Sequence, residues 1–151
     1  MRPSVNGLLE SALFVENLSE VRDFYRDVIG LEMVVESESG CVFVVAKGQL
    51  LLLVSHKKAR VPSKTPGGEV PACVDGAGQI LGAGHIAFAI AETEVEAWRD
   101  RLESHGVTVL AIVAWQQGAT SLYFRDPDGH LLELATPGLW GLSPHKLPPA
   151  N

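Results

Sequence analysis

The chain is written twice. The run Glu10-Ser-Ala-Leu-Phe-Val lies over His85-Ile-Ala-Phe-Ala-Ile, and Gly48 with residues 50–54 lies over Gly129 with residues 131–135. A duplicated unit of this size is one supersecondary motif, and its open sheet needs a second copy to bury it. The second copy is a few residues longer between the matching segments, which fits a longer loop or hairpin.

Each copy reads as strand, helix, strand, strand, strand. In the first, residues 8–15 are a strand and 18–29 an amphipathic helix. Leu18, Val21, Phe24, Tyr25 and Val28 fall at helical spacing there, and Gly30 stops it. Strands are predicted at about 31–36, 41–46 and 49–55, the last two joined by the Lys47-Gly48 turn. In the second copy, residues 85–91 form a strand with Ile86, Phe88 and Ile90 on one face. A helix over 92–105 carries Val95, Trp98 and Leu102 inward and ends at Gly106. Strands follow at about 107–115, 120–125 and 130–136, and the Asp126-Pro127-Asp128-Gly129 turn joins the last two. The predicted fold is α+β: two βαβββ modules, about 8–55 and 85–136, forming a cup-shaped, partly open mixed sheet within one domain over 1–151. Residues 56–84, rich in Gly and Pro, read as a long loop, of the kind that serves as a lid.

Strand alternation sorts the faces. Leu13 and Val15 suit the helix side of the first strand, leaving Glu10, Ala12 and Phe14 opposite. Likewise His85, Ala87 and Ala89 oppose Ile86 and Phe88, and Leu131, Glu133 and Ala135 oppose Leu132 and Leu134. The repeat counterpart of Glu133 is Leu52. A pseudo-twofold axis brings positions 10, 52, 85 and 133 toward one concavity, within one chain or across a dimer that swaps halves. Three of the four can bind a metal. Glu133 stands in an apolar run, His-Leu-Leu-Glu-Leu-Ala, and burying a carboxylate there costs several kcal/mol unless a partner compensates. A divalent cation shared by Glu10, His85 and Glu133 supplies that partner, and the mixed N/O set suits Mn, Fe, Zn or Ni. Taken singly, each of the three is an ordinary surface residue; their coincidence at repeat-equivalent positions carries the reading.

Several other residues weigh less. His56 shares a strand face with Leu52 but lies roughly 13 Å farther along. His130 points away from Glu133 and reads as a surface residue, and Gln49 has the wrong parity for the cup. Trp115, Gln117 and Tyr123 are candidates for lining the cavity mouth. Trp140 reads as an anchor for the tail, and Lys57, Lys58, Arg60 and Lys64 as a solvated basic run or a recruiter of anionic substrates.

Bulk properties narrow the field further. The 151 residues carry a formal net charge of −6, a sign that argues against nucleic-acid or anionic-membrane partners. Apolar residues make up 46% and charged residues 20%, enough for a core that needs no metal or disulfide to hold it. Two cysteines are too few for a secreted disulfide framework. No signal-peptide segment opens the chain and no apolar run spans a membrane, so a cytoplasmic location is expected.

Three segments together resemble the vicinal oxygen chelate superfamily: Gly84-His85-Ile86-Ala87-Phe88, Phe24-Tyr25-Arg26-Asp27-Val28-Ile29-Gly30-Leu31, and Tyr123-Phe124-Arg125-Asp126-Pro127-Asp128-Gly129 with Glu133. That superfamily includes glyoxalase I, bleomycin-resistance proteins, extradiol dioxygenases and fosfomycin-resistance enzymes. The resemblance covers residues 8–136 and implies paired βαβββ modules, a homodimer and a metal in the cup. His85 and Glu133 fall on the third and fourth ligand positions of glyoxalase-like members, and Glu10 falls on the first. Leu52 falls on the second, where a glyoxalase I carries a carboxylate. The implied function is a metalloenzyme that chelates a small oxygenated substrate to a divalent metal acting as Lewis acid, with Glu133 or Glu10 as general base. Isomerase or epimerase chemistry is favoured slightly over dioxygenation, because no further His lies beside the cup. The alternative is a metal-free, bleomycin-resistance-type binding protein whose acidic cup takes a cationic or aromatic ligand.

Overall fold

The computed structural model describes residues 8–73, 84–115 and 118–136. The strand order of the first half is repeated in the second. β1 (Glu10–Val15), β2 (Glu32–Ser37), β3 (Gly40–Ala46) and β4 (Gln49–Ser55) form one sheet in the order β1-β4-β3-β2. β7 (His85–Ala89), β8 (Ala111–Ala114), β9 (Thr120–Arg125) and β10 (Leu131–Ala135) form the other, in the order β7-β10-β9-β8. In each sheet the first and last strands pair in parallel and the rest antiparallel. The mixed α+β architecture and both modules match the expected order.

The helix of the first module changes character along its length. It starts as α1 (Leu18–Asp23) and widens into a π-helical turn over Phe24–Ile29. Gly30 closes it at φ 82°, its N–H bonding to the Tyr25 carbonyl. Val21, Phe24, Tyr25, Val28 and Ile29 are buried, so the apolar stripe lies against the sheet. In the second module a single 3₁₀ turn (Glu92–Glu94) leads into α3 (Val95–Ser104), which buries Leu102.

The two halves share one core. Phe24 and Phe124 meet at 6.5 Å between ring centroids, and the same buried cluster holds Leu13, Phe43, Leu53, Phe88, Leu132 and Leu134. Polar contacts reinforce the seam at helix and turn ends. Arg101 of α3 donates to the carbonyls of Val28 and Asp27 at 2.7 and 2.8 Å, satisfying groups that the end of the first helix leaves free. Tyr25 donates its hydroxyl to Asp126 at 3.1 Å, and the Glu16 amide donates to Asp128.

The structure corrects several expectations. Residues 56–84 are not a structureless loop throughout: α2 (His56–Ala59) follows β4 directly, and a hairpin of β5 (Ser63–Thr65) and β6 (Gly68–Val70) comes next. Ser55 caps α2 by accepting from the Lys58 amide, so His56 opens a helix instead of extending a strand face. The strand predicted over 107–115 pairs only over Ala111–Ala114, after the Val107 amide has bonded back to Leu102. His130 is buried, not at the surface, for the reason given below. In β2 the register shifts between Met33 and Val35, and this bulge leaves both Val34 and Val35 exposed. Gln117 and Trp140 lie outside the described residues.

Candidate metal centre

Among the described residues, the apolar stripes of α1 and α3 lie on one face of their sheets. On the other face of the second sheet, the register sets His85 beside Leu131, and sets Ala87, Glu133, Tyr123 and Ala111 in one row across four strands. Glu133 is buried in that row, 4% exposed, while Leu132 and Leu134 on either side enter the core. Two groups reach its carboxylate. Tyr123 donates its hydroxyl to Oε1 at 2.9 Å, and His85 Nε2 stands 3.2 Å from Oε2. The rings of His85 and Tyr123 stack at 6.3 Å and 24°. Burial first, and then the carboxylate it donates to, raises the Tyr123 pKa, so this phenol keeps its proton.

The other imidazole nitrogen fixes what Nε2 can be. His85 Nδ1 lies 3.1 Å from the Leu131 carbonyl oxygen, an acceptor only, so Nδ1 carries the hydrogen. In the neutral ring Nε2 then turns a lone pair toward a carboxylate oxygen. Two acceptors at 3.2 Å need something positive between them. Either a proton is shared between the two groups, or a cation sits against both. A divalent ion that took one bond from each of these two atoms would supply that charge. A second hydrogen bond from the ligating imidazole to a carbonyl is also how metal-bound histidines are held. The donor set fits a metal.

Within one chain it is a set of two. Glu10 lies in the first sheet, in the row Glu10, Leu50, Val44, Glu32. Among the described residues, no three His, Cys, Asp or Glu side chains gather closely enough to share a metal. The expected three-way convergence is therefore not made by the single chain. The cause is pairing: β1 is bonded to β4 of its own module, and β7 and β10 belong to the other. Glu10 and Ala87 do line one cavity, of about 170 Å³, at the seam between the sheets. Leu52 stays on the open face of the first sheet, half-buried.

The candidate mouth residues divide. Tyr123 is a direct partner of Glu133. Trp115 is 37% exposed and donates its indole N–H to Ser121 at 2.9 Å, two residues along β9 from Tyr123. The role of Tyr123 as a carboxylate donor was missed, although counting back across the turn at 126–129 pairs 123 with 133. Sequence reasoning also missed a second buried carboxylate. Asp126 accepts from His130 Nδ1 at 2.7 Å, from Tyr25, and from the amides of Asp128 and His130. That network draws His130 inward. Its hydrogen bond to Asp126, only partly opposed by burial, raises the imidazole pKa.

The architecture and the open-faced His–Glu pair define a protein of the glyoxalase type. Residues 7–134 match the model of the Glyoxalase/Bleomycin resistance protein/Dioxygenase superfamily, and the chain belongs to that family. A curated relative, the metallothiol transferase FosB of Staphylococcus haemolyticus, is 29% identical over 136 residues, covering 89% of this chain and 86% of that protein. The crystal structure of lactoylglutathione lyase from Agrobacterium tumefaciens superposes with a TM-score of 0.76 at 31% identity, covering 93% of this chain and all of that one. A second similar structure is a point mutant of the fosfomycin resistance protein FosX of Listeria monocytogenes, in complex with Mn(II) and 1S,2S-dihydroxypropylphosphonic acid. Its TM-score is 0.62 at 26% identity, over 87% of this chain and 90% of that one.

Proposed function

We propose that this chain is a metal-dependent enzyme of the glyoxalase type that acts on a small oxygenated substrate. The convergence of His85 Nε2 and Glu133 Oε2 on the open sheet face carries the reading, because an imidazole nitrogen and a carboxylate oxygen turned toward each other are donors that a divalent ion takes. A bound divalent ion would polarise a substrate oxygen as a Lewis acid. The chain's own groups do the rest. The Leu131 carbonyl aims the imidazole and Tyr123 holds Oε1 of Glu133, so His85 Nε2 and Glu133 Oε2 are the atoms that would hold it. Trp115 and Tyr123 line the mouth, and Glu133 or Glu10 accepts a proton from the substrate or from an incoming nucleophile. Relatives named as a thiol transferase and a lyase support addition or elimination at the oxygen-bearing carbon over ring-opening dioxygenation.

The working unit is a homodimer of two-module chains in which Glu10 of one chain meets His85 and Glu133 of the partner. The open faces support this: Ala12, Ala87 and Ala89 are exposed, and side chains so small admit a second sheet at close range. Manganese is the first ion to test, since the similar FosX complex holds Mn(II), with Fe, Zn and Ni compatible with the same donors. No described helix is long and apolar enough to cross a membrane.

One observation favours a second reading, a metal-free binding protein of the bleomycin-resistance type. A protonated His85 together with Tyr123 satisfies Glu133 without any cation. Elemental analysis of protein purified without chelator separates the two. Near-stoichiometric divalent metal is expected, lost in Glu133→Ala and in His85→Ala. Negligible metal in the native protein, with none taken up from added Mn(II), would sink the metalloenzyme reading.

A further inference from the structure

A series of hydrogen bonds within the second module ends on Glu133. β8 and β9 pair with Ala111 opposite Tyr123 and Val113 opposite Ser121, and alternation puts Trp115, two residues past Val113, on the same face. Backbone bonds pin that end of the hairpin: the Trp115 amide donates to the Ala119 carbonyl at 2.8 Å, and the Gly118 amide donates to the Trp115 carbonyl at 2.9 Å. Held there, Trp115 turns its indole N–H onto the Ser121 hydroxyl oxygen at 2.9 Å. The Ser121 side chain in turn hydrogen-bonds the Tyr123 phenol, which donates to Glu133 Oε1 at 2.9 Å.

Chemistry sets the direction of every link. An indole N–H can only donate, so Ser121 Oγ accepts from Trp115 and keeps its own hydrogen for another partner. The Tyr123 hydrogen is spent on the carboxylate, so the phenol oxygen is left to accept from Ser121. Three donors therefore point one way, from Trp115 through Ser121 and Tyr123 to Glu133. Ser121 is fully buried, and among the described residues no buried side-chain nitrogen or oxygen lacks a partner. Donors in series polarise one another, each strengthening the next bond on the order of 10–30%. The four residues lie on β9, on β10 and just past β8, so the series is complete within one protomer.

From this we infer that Trp115 and Ser121 are positioning residues for Glu133, acting on its carboxylate through Tyr123. They hold the phenol at Oε1, which leaves Oε2 as the oxygen beside His85 Nε2. Trp115 then acts through its N–H and not through its ring surface, a role distinct from lining the cavity mouth. The series of bonds needs no metal; only its effect on metal affinity rests on the metalloenzyme reading.

The test uses the full chain, first free of metal. The indole N–H NMR signal of Trp115, identified by its loss in Trp115→Phe, should move upfield in Tyr123→Phe, which keeps the ring but cuts both bonds of the phenol. If that signal moves only when Ser121 is changed, the series does not transmit and the inference fails. Mn(II) affinity is then measured by titration. Tyr123→Phe should weaken it about tenfold, and Ser121→Ala and Trp115→Phe about threefold each. In the Tyr123→Phe background neither change should weaken it further, because the path to Glu133 is already cut. A loss in Trp115→Phe that persists undiminished in that background would overturn the inference, since Trp115 would then act by packing alone. An affinity unchanged in both Ser121→Ala and Trp115→Phe would overturn it as well. If the native chain takes up no Mn(II), the metalloenzyme reading falls instead, and the indole signal of the metal-free chain decides the inference on its own. Should Ser121→Ala not fold, Trp115→Phe and Tyr123→Phe complete the cycle without it.

Discussion

Replacing Asp126 by Ala should unfold this protein more readily than any comparable change on its surface. The Asp126 side chain is fully buried and is the common acceptor for His130 Nδ1, the Tyr25 hydroxyl and two turn amides. Removing it strands a buried imidazole and a buried phenol at once. Breaking a buried charge pair by deleting one member costs ~3–5 kcal/mol. At this chain length that is a fall in Tm on the order of 10 °C. Tyr25→Phe deletes one donor and leaves the carboxylate its other three bonds, so it should cost only ~1 kcal/mol. The measurement is urea denaturation at fixed protein concentration for both single variants and the double. If Asp126 is the hub, Tyr25→Phe adds almost nothing in the Asp126→Ala background, a coupling visible in the cycle. An Asp126→Ala cost under ~1 kcal/mol, or simple additivity, would refute the reasoning, because the turn would then hold the two halves without the carboxylate.

Two further outcomes follow from the same geometry. Because pairing with Asp126 raises the His130 pKa above its ordinary 6.5, the folded state binds this proton more tightly than the unfolded chain does. That stabilisation is complete below about pH 6.5 and disappears as pH climbs through the higher folded value. Urea midpoints for the native chain should decline over that interval relative to those of His130→Asn. Burial pushes the Cys41 thiol up to about 11, whereas Cys73 is exposed. Iodoacetamide at pH 8 should therefore modify Cys73 alone in the folded protein, as read by peptide mass, and modification of Cys41 under native conditions would contradict its placement.

What the sequence made legible was whatever periodicity encodes. The duplicated strand order, the faces of β1, β7 and β10 and the helix stop at Gly30 all follow from alternation of two or from helical spacing, and the structure has them. The meeting of His85 with Glu133 came from the same source, since it depends only on parity and on neighbouring parallel strands. The position of Glu10 relative to that pair depends instead on how two sheets are set against each other, which no local pattern records. His130 was misread because its parity, taken alone, points it off the Glu133 face. Only the acceptor at Asp126, four residues back in a turn, explains why that direction leads into the protein. The hairpin over 63–70 was hidden by its composition: Thr65, Pro66 and Gly67 read as loop, and strands three residues long carry too little alternation to be seen.

Leu52 occupies in one half the place that Glu133 holds in the other, and that inequality has an evolutionary consequence. A duplicated module yields two equivalent sheet faces, and here the first keeps Glu10 but has Leu52 where coordination chemistry would hold the position to a donor. Freed from that demand, position 52 can accept one aliphatic substitution after another, each reshaping the open face of the first sheet without removing a donor. Selection for new substrates would therefore be expected to register first around Leu52, and last around Glu133.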